Sequence, residues 1–154
     1  MTLLRKIIPL AAFLMLLSTI CMASPVNAGN SSSTGKPGIA REVSRDIKVT
    51  QVDNMFLPNE IQVTEGETVR LIVINKGGHQ HEMLIGTMED LRKAAKMRRN
   101  HPDENPTEAG MIRLQPDEQD EIIWTFDQPG EVDFACPLPG HFKAMRGKIY
   151  VEKK

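Results

Sequence analysis

Three side chains near the end of the chain have the types and spacing to hold a metal. They are Cys136, His141 and Met145, within Cys136-Pro137-Leu138-Pro139-Gly140-His141-Phe142-Lys143-Ala144-Met145. A thiol, an imidazole and a thioether are soft to borderline donors, the set that suits copper in a mononuclear electron-transfer site. A further imidazole far upstream, from His81 or His79, would complete a Cys-His-His-Met set. The thiolate would donate strongly, two imidazoles would complete a trigonal plane, and the thioether would be a weak axial donor. Zinc competes for Cys and His, but its structural sites are built from Cys, His and carboxylates rather than Met. If Cys136 ends one strand and Met145 begins the next, the intervening loop can bring three donors to one centre. Pro137 and Pro139 limit its entropy, and Gly140 permits a sharp turn before His141.

The rest of the chain must position that loop. At 154 residues it is long enough for one domain with extensions. Residues 1–28 read as a secretory signal: Arg5 and Lys6 precede an apolar run from Ile7 to Leu17, and small residues follow. Cleavage is expected after Ala28 or Ala23, with export to the periplasm. The apolar run is short for a membrane span, so no stable membrane insertion of the mature protein is expected. Cys21 leaves with the signal, and Cys136 becomes the one remaining cysteine. A lone thiol in an oxidising compartment has no internal disulfide partner, and metal ligation accounts for it. Loss of Arg5 and Lys6 leaves 17 basic against 20 acidic side chains, not the balance of a nucleic-acid binder.

Residues 29–45, rich in Ser, Gly and Asn, read as a flexible linker. From Asp46 the pattern turns to β structure. Ile47 and Val49, Ile61 and Val63, and Val69 to Ile74 mark strands, and His81 to Ile85 resumes extended chain. Residues 87–100 switch to a helical period. Thr87 with Asp90 resembles a capping box, Met88, Leu91, Ala94 and Ala95 share a face, and Pro102 ends the helix. Strands follow at Met111 to Leu114, Glu121 to Phe126, Val132 to Cys136 and Gly147 to Val151. The expected fold is all-β, an antiparallel Greek-key β-sandwich over residues 46–154 with one inserted helix.

The ligand loop, from Cys136 through Pro137, Gly140, His141 and Met145 to Gly147, resembles that of the cupredoxins, the type 1 blue copper proteins, with azurin-like spacing. The stretch Phe56-Leu57-Pro58-Asn59-Glu60-Ile61 through Gly66 and Val69 to Asn75 and Gly77 is similar to the family's pattern before its first histidine. The resemblance implies one type 1 copper ion held by His81, Cys136, His141 and Met145, with His81 favoured over His79. It also implies transient docking of redox partner proteins near His141, among Leu138, Pro139, Phe142 and Ala144. Azurin has Asn after its first histidine where this chain has Glu82. A binuclear copper centre would need a second cysteine in the loop, and a multicopper oxidase would flank Cys136 with histidines. Neither pattern is present, and the chain does not read as an enzyme.

Two functions follow from one copper ion. The first is a monomeric carrier of single electrons through Cu(I)/Cu(II). The second is copper tolerance or delivery, to which exported cupredoxins with a similar inserted helix are linked. Met88, Met97, His101 and Met111 are candidates for a second, weaker copper site. In the plainer reading, Met88 faces the core and His101 ends the helix.

Overall fold

The computed structural model describes residues 34–154. Two five-stranded sheets enclose one core. The first runs in the order β1 (Lys36–Pro37), β8 (Gln119–Phe126), β5 (Glu67–Asn75), β2 (Arg45–Val52), β3 (Met55–Leu57). The second runs β4 (Glu60–Thr64), β10 (Arg146–Glu152), β9 (Gly130–Ala135), β6 (His81–Gly86), β7 (Met111–Leu114). Among the described residues the single α-helix, α1 (Met88–Asn100), lies between β6 and β7 in the chain.

Side-chain alternation builds the core. Val69, Leu71 and Val73 of β5 are fully buried and meet Ile122, Trp124 and Phe126 of β8 beneath the sheet. Phe56 of one sheet meets Phe134 of the other edge to face, ring centres 5.0 Å apart. β6 departs from alternation, for all six of its residues are buried. Met83 and Ile85 join the core between the sheets. Leu84 packs on the opposite side with Leu91, Ala94 and Ala135, so α1 forms a third layer over β6 and β9. Thr87 caps the helix by accepting the Asp90 N–H.

Two expectations are corrected. Strand pairing is mixed rather than antiparallel: β2 pairs with β5, and β4 with β10, in parallel. The chain leaves the first sheet after β3, contributes β4 to the second, and returns as β5 in the direction of β2. Residues 34–45 of the expected linker are also structured. The Trp124 indole N–H donates to the Thr34 carbonyl at 2.7 Å, satisfying a buried donor. Lys36 and Pro37 pair with Thr125 and Trp124, the Gly38 N–H donates to Ile123, and the Ser44 N–H donates to Thr68. Gly35 makes this approach possible: its φ is +90°, and a Cβ there would lie 2.3 Å from the Thr125 carbonyl oxygen. The folded unit therefore begins before residue 46. The expected signal, its two cleavage positions and residues 29–33 lie outside the described residues.

Candidate metal centre

The expected donors arrive from three directions. His81 opens β6, Cys136 directly follows β9, and Met145 directly precedes β10. The loop between the last two is pinned at its base. Cys136 N–H donates to the Met145 carbonyl at 3.0 Å, and Met145 N–H donates to the His141 carbonyl at 2.9 Å. Gly140 takes a φ of +85°, the left-handed turn that delivers His141.

His81, Cys136 and His141 converge, with one donor atom of each within 4.8 Å of the others. The two Nδ1 atoms are 3.2 Å apart, and His141 Nδ1 is 3.5 Å from Cys136 Sγ. His81 and Cys136 are fully buried, and His141 is half-buried. Met145 is also fully buried and joins the same core cluster as Cys136. His79 is left outside this convergence, its side chain 73% exposed.

Asp53, in the turn between β2 and β3, supports the group from the side. Its Oδ1 lies 3.1 Å from His81 Nε2 and 3.3 Å from His79 Nδ1, and its carboxylate accepts the Gly78 N–H. These contacts, that with His81 foremost, hold its carboxyl down at about 2. A carboxylate beside Nε2 favours the Nε2–H tautomer of His81 and leaves a lone pair on Nδ1, toward Cys136 and His141. Gly77 makes room for this, since a Cβ there would lie 2.5 Å from Asp53 Oδ1.

Burial sets the protonation of the remaining donors. It pushes the Cys136 thiol up to about 11, against hydrogen bonds from the Glu82 and Leu138 backbone that pull the other way. The Glu82 carboxylate raises it further, whereas Arg113 lowers it. Cys136 must therefore give up a proton to act as a ligand. His141 is shifted down, by burial first and then by His81 and His79. That keeps its imidazole neutral and its lone pair free. The donor set fits a single copper ion: one sulfur and two imidazole nitrogens close together, two of the three side chains fully buried, with Met145 at the loop base.

Behind the sulfur lies a charged cluster that sequence reasoning missed. The Glu82 N–H donates to Cys136 Sγ at 3.3 Å. The Glu82 side chain points to the helix layer and is fully buried. Arg98 of α1 donates to it through Nε at 3.1 Å, and Arg113 of β7 through Nε at 2.8 Å and through Nη2. Arg98 continues to Glu108 at 2.9 Å, and Arg113 to Asn105 at 2.7 Å. One signal was available: Arg98 extends the Leu91, Ala94, Ala95 face by one helical step, putting a charge on a buried stripe. Asp53 had no signal beyond its place in a turn.

The four candidates for a second site do not share one place in the fold. Met88 opens α1 and His101 follows its last residue, so about 20 Å of helix separates them. Met111 packs on the Leu84, Leu91, Ala94 cluster, Met97 is exposed, and His101 pairs with Glu104.

A family model described as copper binding proteins, plastocyanin/azurin family, matches residues 43–152. A protein of Rubrivivax gelatinosus named copper-resistant cuproprotein CopI is 40% identical, over 76% of this chain and 72% of its own. A protein of the same name from Pseudomonas aeruginosa is 27% identical, over 96% of this chain and 98% of its own. Among solved structures, auracyanin B superposes with a TM-score of 0.63 at 18% identity, covering 78% of this chain and 96% of that one. The azurin Az-iso2 of Methylomonas sp. strain J superposes with a TM-score of 0.58 at 19% identity, covering 71% of this chain and 99% of that one. At such identities these likenesses speak to the fold alone.

Proposed function

The chain belongs to the plastocyanin/azurin family of copper-binding proteins, and on that footing we propose that it is an exported protein of copper tolerance. It holds one copper ion through His81, Cys136 and His141, with Met145 as the weak fourth donor. The observation that carries this reading is the convergence of one sulfur and two Nδ1 atoms. The relatives' names, which speak of copper resistance, support tolerance over electron carriage. Export rests on the signal-like residues 1–28. Among the described residues, no helix is long and apolar enough to cross a membrane.

In this reading the residues divide the work. Cys136 and the imidazoles bind, Asp53 orients His81, and the hydrogen-bonded loop base fixes the distance between Cys136 and Met145. Copper, when bound, supplies a one-electron couple between Cu(I) and Cu(II).

One observation favours a second reading, a monomeric single-electron carrier. His141 is only half-buried, beside Leu138 and Phe142, so a redox partner docking there would approach a ligand edge. A deletion strain separates the two. Tolerance predicts impaired growth on elevated copper with respiratory electron flux unchanged. Lost flux with normal growth on copper would favour the carrier.

A further inference from the structure

The inserted helix reaches the metal centre through a buried ion cluster. Glu82 follows His81 directly, so its backbone belongs to the site while its side chain belongs to the helix layer. Its carboxylate is fully buried, Arg98 is 2% exposed, and the Arg113 side chain is 19% exposed. Two guanidinium groups from different elements, α1 and β7, grip one carboxylate. Such a grip fixes position, because a guanidinium donates in a rigid fork. The fixed object is the stretch of β6 whose N–H meets Cys136 Sγ.

A buried cluster of this kind is weak as a source of stability, since desolvating its charges offsets their attraction. Its placement gives it a different use. Charges in a low-dielectric interior act strongly on a neighbouring thiolate, and hydrogen bonds to a ligand sulfur tune a metal site. A negative charge nearby favours the more oxidised ion, and a positive charge favours the reduced one.

The geometry points to Glu82, Arg98 and Arg113 as positioning residues that hold the Glu82 N–H on the Cys136 sulfur and set the reduction potential of the copper bound there. This rests on the copper reading above. The helix is then part of the electronic environment of the site as well as a cover over β6. Removal of either charge shifts the potential opposite to the sign of that charge. Glu82→Gln raises it and Arg98→Leu lowers it, whereas Arg98→Lys, which keeps the charge, returns it toward the unsubstituted value.

The test has a metal-free arm and a loaded arm. In the metal-free protein, amide hydrogen exchange at Glu82 is followed by NMR. Arg98→Leu should speed it by roughly tenfold, the loss of about one hydrogen bond's stabilisation, with the β5 amides unchanged. In the loaded protein, the thiolate-to-copper absorption band and the midpoint potential are measured at one equivalent of copper. Opposite shifts of potential in Glu82→Gln and Arg98→Leu support the inference. Variants that unfold at lower temperature, with exchange, band and potential unmoved, overturn it and leave the copper reading intact. A thiolate band missing from the unsubstituted protein overturns the copper reading and this inference together.

Discussion

Asp53 and His79 touch each other, yet they stand in different relations to the site. Asp53 contacts the imidazole edge of His81 that faces away from Cys136, while His79 is exposed and meets the same Oδ1 from solvent. Asp53→Ala leaves the His81 tautomer unset and the ring unbraced. Loss of an outer hydrogen-bond partner of a metal-binding histidine weakens metal affinity by about 10- to 100-fold. Competition titration with a chelator of known copper affinity checks this for Asp53→Ala. His79→Ala should bind copper as the unsubstituted protein does, and a loss equal to that of His81→Ala would reverse the roles of the two histidines.

Glycine and helix packing decide matters at the scale of the elements. Gly147 of β10 faces Phe134 of β9, and a Cβ there would lie 2.1 Å from the Phe134 ring and 2.5 Å from the Asn59 carbonyl oxygen. Gly147→Ala forces β10 off its neighbours and should cost about 1–3 kcal/mol in urea unfolding. Leu91 is fully buried between α1 and β6, and Leu91→Ala should cost about 3 kcal/mol in the same measurement. Much of this scale was legible in the sequence. The helix, its Thr87 cap and its Leu91, Ala94, Ala95 face follow from periodicity, and the ligand loop from spacing. The parallel pairings did not, because alternation tells which face a residue takes but not which sheet its strand joins. Nor did the docking of residues 34–44. It depends on the Trp124 indole finding the Thr34 carbonyl, a contact across most of the chain. Glu82 stands out only as a departure from azurin's Asn, and nothing in the sequence ties it to Arg98 or Arg113. Only the fold brings them together under the helix.

For the whole molecule, acid tests how the two sheets are joined. Glu67 opens β5, accepts from Arg45 at 2.7 Å and from the Thr64 N–H at 2.9 Å, and Arg45 also donates to the Gln62 carbonyl in β4 of the other sheet. The Arg45 contact, ahead of the Thr64 N–H and the Ser44 hydroxyl, holds the Glu67 carboxyl below its ordinary value. A carboxyl lowered on folding stabilises the folded state above its unfolded value, and that gain is lost as pH falls through the folded value. Glu67→Gln should therefore be less stable than the unsubstituted protein at pH 7. The difference should shrink below the ordinary carboxyl range near 4.5 and vanish below the folded value. Urea unfolding at a series of pH values checks the sign; a difference that grows on acidification would refute it.

Every role given to the residues of the metal centre depends on one copper ion binding to the Cys136 sulfur. The most direct test of that binding is titration of the purified metal-free protein with Cu(II), followed by visible absorption. An intense thiolate-to-copper band that saturates at one equivalent, and is absent in Cys136→Ser, is the predicted result. A colourless protein that takes zinc in preference, or a band that survives in Cys136→Ser, would contradict it.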